Sequence, residues 1–388
     1  MLTTRRTALK TTAAWTALSY SRIFGANDRI RIGGIATGGR CRYLLTLLKD
    51  LPANELVTVC DVYAPRREEA KAKIAPHATI VTDFRMALDR KDVDAVVIGS
   101  PDHWHVPMSL AAISAGKDVY CEKPITHDPS EADQLIAAVE GSNRVFQAGT
   151  QQRSWDHFQR ARELVTSGAV GQINLIQTYW YQNYIARGKP PEMDVSKLDW
   201  KAWLGSAPAR PFDITRYTTW RWFWDYGGGS LTDLYSHWVD VIHWFMNSSD
   251  IETAQAVGRK AVRTDWECPD TVSAAFIYKP GFQTTFDGLM TGSLDGGGLV
   301  FRGTKALLRL NRDGYWLYPE GAVAAELTRY PEPLEQRRST GDGTRTHLQN
   351  WLDCIKSRAV PNAPVRAGVA AAWAAQTGNI ALRQMMKS

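Results

Sequence analysis

The sequence predicts an α/β protein whose first domain is built on a parallel, doubly wound sheet and is followed by a second α/β domain. Three observations support this. β-like and helix-like runs alternate from Arg29 to about residue 150, the first β-like run ends in a glycine-rich turn, and β character returns later in the chain. Alternating strands and helices form parallel sheets, because each helix carries the chain back across the sheet. The length of 388 residues is enough for about two domains.

The predicted elements of the first domain alternate between strands and helices, in a repeating strand, helix, strand order. The first strand, RIRIGGI, leads through the glycine-rich turn into an apolar helical pattern that includes Leu44, Leu47 and Leu48. Further strands are predicted at ELVTVCD, AVVIGS and KDVYC, with helices between them. This order predicts parallel strands joined by helical crossovers.

The turn after the first strand carries a modified dinucleotide-binding fingerprint, Ala36-x-Gly38-x-x-Cys41. Two of its three glycine positions hold other small residues, and Gly39 adds local freedom. The backbone of such a turn approaches a pyrophosphate, which binds at the N-terminus of the following helix. We therefore expect residues 27–150 to form a dinucleotide-binding Rossmann domain, with a purely structural glycine turn as the alternative.

Asp61 stands at the end of the second predicted strand, 23 residues after Gly38. A carboxylate at this place can accept hydrogen bonds from the adenosine ribose hydroxyls. Its charge favours NAD over NADP, although Arg66 and Arg67 follow closely enough to leave a 2′-phosphate open. The alternative is an aspartate that caps the next helix.

The loops after the next two strands supply further candidate cofactor contacts, because ligands bind at the carboxyl ends of strands in a doubly wound sheet. PDHWH follows one strand and EKP follows the other. Either histidine of PDHWH has a second interpretation as a half-buried structural residue. The predicted cofactor-binding residues are Ala36, Gly38, Gly39, Arg40, Asp61, Ser100, Pro101, His103, Trp104, His105, Glu122, Lys123 and Gln151.

Lys123 of the EKP loop is the first catalytic candidate. At this place its amine would lie near the nicotinamide ring and could hydrogen-bond to a substrate hydroxyl or exchange a proton with it. A solvated loop lysine is the alternative.

The run GGGSLTDLYSHWVDVIHW supplies the other catalytic candidates. At about 100° per residue, Asp233, His237 and Asp240 share one face of a helix, whereas His243 is turned away. This pattern is typical of a histidine general base that is oriented by a carboxylate. A metal site and a purely structural pair are the alternatives. We predict no metal, because hydride transfer to a nicotinamide needs none.

The composition excludes several other classes of protein. Hydrophobic residues make up 44% and charged residues 22% of the chain, as in ordinary soluble proteins. The net charge of +6 includes four basic residues among the first 22, so it does not indicate nucleic-acid binding. No later run reaches the ~20 apolar residues of a membrane span. The five cysteines include no CxxC pair, and we expect them to be thiols.

The N-terminal run TTRRTALK and the mildly apolar residues after it are typical of a twin-arginine export signal, predicted to occupy residues 1–26. We therefore expect the twin-arginine machinery to export the protein folded to the periplasm or another extracytoplasmic space. A frayed basic N-terminus is the alternative. Because free NAD is scarce outside the cell, we expect such a protein to carry a tightly bound dinucleotide.

The second domain, predicted at residues 151–345, is rich in tryptophan. Aromatic faces stack on the C–H faces of sugars, so a cleft lined in this way suits a carbohydrate. Many of these tryptophans also suit a core or a subunit interface. The predicted substrate-binding residues are Lys123, Arg153, Tyr235, Trp222, Asp233 and His237, with Gln151 as a further candidate. Residues 346–388 are predicted to form helices that pack back on the first domain.

From about Arg29 to Ala381 the chain resembles the glucose–fructose oxidoreductase, inositol dehydrogenase and MocA family (Gfo/Idh/MocA). The residues that carry the resemblance are VCDVY, SPDHWH, AGKDVYCEKP, FQAGTQQRSW, SGAVGQI, LDWKAWLGSAPARPF, GGGSLTDLYSHWVD and FRGTKALLRL. It implies that Lys123, Asp233 and His237 are the catalytic set and that the Lys123–Pro124 bond is cis. It also implies a second domain with a large open, mostly antiparallel sheet and a homodimer or homotetramer. Ala36, Cys41 and Tyr235 depart from the family's pattern.

Three functions remain open at this point. The first is an exported oxidoreductase that acts on a sugar, polyol or glycoside hydroxyl with bound NAD(P). The second is a glycosidase or lyase on the same scaffold that works by transient oxidation of a ring hydroxyl. The third is a sugar-binding module without catalytic activity. The intact set of Lys123, Asp233 and His237 argues for an enzyme.

Overall fold

The computed structural model describes residues 29–185, 188, 192–321 and 331–387. The predicted export signal, residues 1–26, lies outside the described residues. The first domain contains a six-stranded sheet in the order β3-β2-β1-β4-β5-β6, and every pair of neighbouring strands is parallel. This order confirms the predicted doubly wound sheet.

The first domain has these bounds. The strands are β1 Ile30–Ile35, β2 Asn54–Cys60, β3 Thr79–Val81, β4 Ala95–Ile98, β5 Asp118–Cys121 and β6 Phe146–Ala148. The helices are α1 Gly39–Lys49, α2 Ala64–Lys73, α3 Phe84–Leu88, α4 His105–Ser114 and α5 Ala132–Glu140.

The passage from β1 to α1 depends on close packing. Gly34 lies against Leu45 of α1, where an added Cβ would meet the Leu45 Cδ1 atom at 2.5 Å. Ala36 has a φ of 59°, in the left-handed region that glycine usually occupies. The strand order reverses at β1, between β2 and β4. A crevice at this reversal is where doubly wound sheets bind ligands.

The second domain contains an eight-stranded sheet in the order β14-β13-β12-β11-β7-β10-β9-β8. Only β7 and β10 pair in parallel, and the other neighbours are antiparallel. This arrangement confirms the expected mostly antiparallel sheet. Residues in β9 and β10 alternate between buried and exposed, so one face of the sheet packs on helices.

The bounds of the second domain and the C-terminal helices complete the fold. The strands are β7 Ile173–Tyr181, β8 Ile251–Arg259, β9 Thr271–Tyr278, β10 Phe282–Leu289, β11 Gly297–Gly303, β12 Ala306–Asn311, β13 Gly314–Pro319 and β14 Glu335–Arg338. The helices are α6 Asp156–Thr166, α7 Trp200–Leu204, α8 Ile214–Thr218, α9 Ser236–Met246, α10 Thr344–Ser357 and α11 Val365–Met385.

The two C-terminal helices pack on different domains. Helix α10 buries Leu348 and Trp351 in one hydrophobic cluster with Leu44 and Leu48 of α1, in the first domain. Helix α11 packs mainly on β8 and α9 of the second domain and also touches β6 and α5. The prediction that both helices pack back on the first domain therefore describes α10 better than α11.

Three features of the structure bear on the predictions about cysteines, metal ions and membrane spans. The five cysteines are buried and free. Among the residues described, no group of three or more His, Cys, Asp or Glu side chains could hold a metal ion. In the same part of the chain no helix is both long and apolar enough to cross a membrane.

Candidate active site

A cleft of about 940 Å³ lies between the two domains. The carboxyl ends of β1, β2, β4 and β5 form one wall, and the opposite wall is formed by second-domain residues. The predicted residues that line it are Ala36, Gly38, Gly39, Arg40, Asp61, Ser100, Pro101, Trp104, His105, Glu122, Lys123, Gln151, Asp233 and His237. The structure therefore brings together most of the cofactor and catalytic candidates.

The glycine turn leaves room for a ligand beside the backbone. A Cβ added at Gly39 would meet nothing within 4 Å, and one added at Gly38 would first meet an Arg66 nitrogen at 3.8 Å. Helix α1 begins here, and no side chain caps its N-terminus. Its first backbone N–H groups are therefore available to an anion, which is the arrangement that a pyrophosphate requires.

Asp61 keeps an unused acceptor at the end of β2. Its Oδ1 atom accepts a hydrogen bond from the Tyr63 N–H at 2.8 Å, and its Oδ2 atom has no partner among the described residues. Burial raises the pKa of this carboxyl, while Arg66, the Tyr63 N–H and Arg67 act in the opposite direction. Arg67 donates to the Asp61 carbonyl at 2.9 Å, whereas Arg66 lies over the Tyr217 ring and lines the cleft.

Several polar atoms of cleft-lining residues have no hydrogen-bond partner among the described residues. Ser100 Oγ and Gln151 Oε1 are buried without a hydrogen bond among the described residues. Buried polar groups normally have partners, so both atoms fit contacts to a bound molecule. Together with the open glycine turn and Asp61, they make the cleft a good fit for a nicotinamide dinucleotide.

A segment of the second domain, residues 195–221, packs across the first-domain loops at the cleft; we call it the closing segment. The Asp199 N–H donates to the Val62 carbonyl at 3.1 Å. The Trp203 carbonyl accepts from Trp104 Nε1 at 2.8 Å and lies 3.2 Å from His103 Nε2. His103 therefore holds the closing segment and does not line the cleft, contrary to its predicted cofactor contact.

Lys123 and Asp233 form an ion pair in the cleft. The Lys123 Nζ atom lies 2.8 Å from Asp233 Oδ1 and 2.6 Å from the Asp233 carbonyl oxygen. Arg221 Nε donates to the same Oδ1 at 3.0 Å. Burial alone would raise the pKa of Asp233, but the charges of Lys123 and Arg221 lower it to about 2. Asp233 is therefore ionised, and the Lys123–Pro124 bond that precedes this site is cis.

His237 lies at the same end of the cleft as a neutral base. Its ring stacks on Trp180 at a centroid distance of 5.5 Å, and its buried Nδ1 atom has no partner among the described residues. Burial lowers the pKa of His237 well below its usual value, and the charges of Lys123, Arg312 and Arg40 lower it further. A neutral imidazole can accept a proton from a substrate hydroxyl.

Asp240 does not share the predicted helical face with Asp233 and His237, both of which line the cleft. Residues Leu231–Tyr235 make a π-helical turn, which has more residues per turn than the assumed α-helix and rotates Asp233 relative to Asp240. Asp240 accepts two hydrogen bonds from Arg153 Nε, at 2.9 and 3.0 Å, outside the cleft. Neither aspartate forms a hydrogen bond with His237. Arg153 pairs with Asp240 through Nε and does not line the cleft.

Two other predicted substrate contacts lie in the core. Trp222 is 1% exposed and stacks on Trp266 at a centroid distance of 4.3 Å. Tyr235 is fully buried against Phe276, and its hydroxyl lies 3.2 Å from Thr284 Oγ1. Both side chains are large and mostly apolar, so their burial in the core stabilises the fold. The tryptophans that line the cleft are Trp104, Trp180, Trp203 and Trp220.

The structure also adds cleft residues that the sequence did not single out. They are Asp102, Gln182, Tyr184, Arg221 and Arg312. Asp102 lies inside the PDHWH motif, so that motif already marked its neighbourhood. Arg221 lies between two tryptophans, a weak signal, and Arg312 follows β12 with no signal in its surroundings.

The fold and the cleft define a two-domain protein with a dinucleotide site at a doubly wound sheet. Two family models match in order along the chain: an oxidoreductase family with an NAD-binding Rossmann fold over residues 30–150, and the GFO/IDH/MocA C-terminal domain over residues 158–309. The chain belongs to the Gfo/Idh/MocA family of oxidoreductases, as the motifs indicated.

Known proteins of similar sequence and structure include sugar and polyol dehydrogenases. The chain is 27% identical over 168 residues to an inositol 2-dehydrogenase of Salmonella typhimurium, covering 42% of this chain and 50% of that protein. The chain thus spans about half the length of this curated relative.

Two solved structures show the same fold over nearly the whole chain. A scyllo-inositol dehydrogenase from Lactobacillus casei, with bound NAD(H) and scyllo-inositol, superposes with a TM-score of 0.68 at 20% identity, covering 92% of this chain and 98% of that one. A levoglucosan dehydrogenase in complex with NADH and levoglucosan gives 0.72 at 17% identity, with the same coverage. At these identities the likeness establishes the fold.

Proposed function

We propose that the protein is an enzyme that oxidises or reduces a CH–OH group of a sugar, polyol or glycoside, with NAD as its cofactor. The observation that carries the proposal is the neutral His237 beside the Lys123–Asp233 pair, at the carboxyl ends of the sheet that forms the dinucleotide site. The activities of the inositol and levoglucosan dehydrogenases above support the same class of substrate.

The residues of the cleft suit acid–base catalysis at a hydroxyl group. A bound nicotinamide would supply hydride transfer at the carbon that bears this hydroxyl. His237, held neutral, accepts the hydroxyl proton or returns it in the reverse direction. Lys123 gives two of its three N–H groups to Asp233, which leaves one to hydrogen-bond to the substrate oxygen.

Asp233 serves as a positioning residue for Lys123. Its Oδ1 atom receives Lys123 and Arg221, and its Oδ2 atom has no hydrogen-bond partner among the described residues. This arrangement fixes the ammonium group in the cleft and leaves one carboxylate oxygen for a second substrate hydroxyl. The role thus differs from the predicted one, in which the carboxylate would orient the histidine.

We propose that NAD is the preferred dinucleotide and that it stays bound between turnovers. The free Oδ2 of Asp61 suits the ribose hydroxyls of NAD, whereas Arg66 is the residue that would receive the phosphate of NADP. The closing segment holds the loops after β2 and β4 through Val62, His103 and Trp104, so a dinucleotide beneath it would leave slowly.

Analysis of the purified protein tests both parts of this proposal. We expect close to one nicotinamide dinucleotide per chain without any addition, identified by mass and ultraviolet spectrum after denaturation. Sugars or polyols added to the loaded protein should produce the near-ultraviolet band of reduced nicotinamide. Protein that is isolated empty and works only with millimolar free NAD would contradict retention, and protein that binds no added dinucleotide would contradict the function.

A second candidate is redox-neutral cleavage of a glycoside, in which the same residues oxidise a ring hydroxyl transiently. The closing segment favours it, because a retained cofactor must be regenerated in place. Release of the aglycone from an aryl glycoside without net reduction of the bound dinucleotide would identify this reaction. Net accumulation of reduced cofactor with a free sugar would favour the first candidate.

Export and assembly are proposals of a different kind. The TTRRTALK run supports export by the twin-arginine route, which carries folded and loaded proteins. The face of the large sheet that carries exposed Val257 and Ile277 supports a homodimer or homotetramer formed through this face. Cell fractionation of the double variant Arg5→Lys/Arg6→Lys and sedimentation of the purified chain test the two proposals.

A further inference from the structure

Arg312 occupies an unusual place in the wall of the cleft. It follows β12 and lines both the main cleft and a second cavity of about 370 Å³, which also contacts Trp180. Its guanidinium group lies 4.8 Å from the centre of the Trp180 ring, and the His237 ring lies 5.5 Å from the same centre. Arg312 and the candidate base both line the main cleft, so one bound molecule can contact both.

Arg312 forms no salt bridge within the described part of the chain, and Asp342 and Glu122 raise its pKa only from a distance. Its Nε and Nη2 atoms are buried without a hydrogen-bond partner there. The neighbouring carboxylates are already engaged, since Glu122 accepts from Arg40 and Asp342 accepts from Thr344. Burial and the charge of Arg40 lower the pKa of Arg312 to about 10, so it remains a cation at neutral pH.

The other cations at this end of the cleft are compensated. Arg40 pairs with Glu122, and Lys123 and Arg221 share Asp233. A buried cation without a partner is costly, and proteins rarely keep one unless a ligand completes it. Among the described residues, Arg312 is thus the cation at this end of the cleft that lacks an acceptor.

The two unpaired atoms belong to the edge of the guanidinium group that binds carboxylates, and the side chain must turn toward the cleft to present this edge, because both atoms are enclosed in the substrate-free structure. Nε and Nη2 form the side-on fork that matches two carboxylate oxygens. The chain uses this same edge in four bidentate pairs elsewhere. They are Arg31 with Asp94, Arg160 with Glu335, Arg263 with Asp265 and Arg366 with Glu140.

We propose that Arg312 binds a carboxylate of the substrate, so that the substrate is a sugar acid or another polyhydroxy acid. Trp180 supplies part of the apolar wall of the same cleft, and His237 lines this cleft for the reacting hydroxyl. This inference rests on the proposed function, because it assumes that the substrate reacts at His237. It specifies the substrate class, which the proposed function leaves open.

Binding of matched neutral and acidic sugars to the dinucleotide-loaded full chain tests the proposal. The probes are glucose with glucuronate, galactose with galacturonate, and mannose with mannuronate, measured by calorimetry. We expect at least one acid to bind more tightly than its neutral partner by about 10- to 100-fold, the range for a charge-assisted pair. Arg312→Met should abolish this difference, and the control Arg302→Gln, on the exposed sheet face, should preserve it.

The stability of the variant gives an independent readout. The guanidinium group contacts the Trp155, Trp180 and Trp238 rings but, among the described residues, no carboxylate. If the missing carboxylate outweighs these contacts, Arg312→Met should raise the melting temperature of the loaded, substrate-free chain by a few degrees, about 2–4 °C. A fall in melting temperature would show that Arg312 has a structural partner and would overturn the proposal.

The remaining outcomes separate this proposal from the proposed function. If neutral sugars reduce the bound dinucleotide as well as the acids do, the function stands and the carboxylate class is wrong. If glucose 6-phosphate binds through Arg312 and no sugar acid does, the anion is a phosphate and the carboxylate class is again wrong. If no acid binds more tightly than its neutral partner, the proposal is overturned whatever the chain does with NAD.

Discussion

The two buried ion pairs Lys123–Asp233 and Arg153–Asp240 have different surroundings, although only six residues separate their aspartates in the chain. The cations are equally buried, with 11% of each side chain exposed. Asp240 accepts Arg153 with both carboxylate oxygens and lies outside the cleft. Asp233 accepts Lys123 and Arg221 with one oxygen, while its other oxygen has no partner among the described residues.

The comparison shows what distinguishes a chemical group from a structural one in this fold. Both pairs combine a basic side chain with an aspartate, and both are buried, so residue type and burial do not separate them. The difference is spare hydrogen-bonding capacity that faces a cavity. Lys123 keeps one N–H and Asp233 one oxygen in the cleft. Both oxygens of Asp240 accept from Arg153 Nε, and the remaining N–H groups of Arg153 do not line the cleft.

The largest expected effect follows from removing the cleft lysine or the base beside it. Lys123→Ala and His237→Ala should each lower turnover by about 10²- to 10⁴-fold while dinucleotide binding stays nearly intact, because each removes a proton-transfer or hydroxyl contact. Single-turnover reduction of the bound dinucleotide measures the effect.

A buried lysine outside the cleft provides the matched control. Lys117 donates to the Arg90 and Val93 carbonyls at 2.9 and 2.8 Å. Lys117→Ala should lower the melting temperature and leave the rate of the folded enzyme unchanged. Wild-type turnover in either cleft variant would remove that residue from the mechanism.

The next effect concerns the Arg153–Asp240 pair. Arg153→Met should lower the free energy of unfolding by about 3 kcal/mol, because it leaves the Asp240 charge buried without a partner. Urea unfolding measures the change, and the double variant Arg153→Met/Asp240→Leu should recover most of the loss. A raised KM with unchanged stability would instead support the substrate contact that the sequence predicted for Arg153.

The contrast between the pairs also explains which parts of the site the sequence could predict. The glycine turn, Asp61 and the EKP loop each follow a strand, and the parallel sheet alone brings such positions to one edge. The short strand Thr79–Val81 was not predicted, because three residues give no periodicity. Local patterns therefore predict the cofactor wall well.

Local sequence patterns predict the second-domain wall of the cleft less well. The face proposed for Asp233 and Asp240 assumed an α-helix, and the π-helical turn at Leu231–Tyr235 has no signature in the residues themselves. Trp222 and Trp180 are the same residue type, yet one packs on Trp266 and the other lines the cleft. Contacts between distant segments decide these cases, and Arg312 is a further example.

The pH dependence of stability extends the comparison to the histidines. His347 is saturated, with Nδ1 at 2.7 Å from Ser154 Oγ and Nε2 at 2.9 Å from the Ala148 carbonyl. Burial lowers its pKa to about 4. The unfolded chain takes up this proton below about pH 6.5 and the folded chain only near pH 4, so the folded state loses stability as the pH falls through this window.

The variant His347→Gln should reduce this loss without affecting turnover. We expect the slope of unfolding free energy against pH, between about pH 6 and 5, to decrease by up to about 1.4 kcal/mol per pH unit. Denaturant unfolding at several pH values measures the slope. An unchanged slope would show that His347 is not buried as a neutral group, and a large change in turnover would place it nearer the chemistry than its contacts indicate.

The smallest expected effect tests whether an unpaired carboxylate oxygen identifies a ligand contact at the dinucleotide site of the cleft. Asp61 resembles Asp233 in having one occupied and one free carboxylate oxygen. If the free oxygen binds the ribose, Asp61→Ala should speed the loss of NAD during dialysis by about tenfold, equivalent to ~1.4 kcal/mol. The same change removes a negative charge beside Arg66, so NADP should gain affinity relative to NAD.

The control Asp94→Ala removes an aspartate that pairs with Arg31 outside the cleft, and it should alter neither property. Equal retention of NAD by the Asp61 variant and its parent would show that an unfilled acceptor in this cleft does not by itself identify a ligand contact, and would weaken the same argument for Asp233.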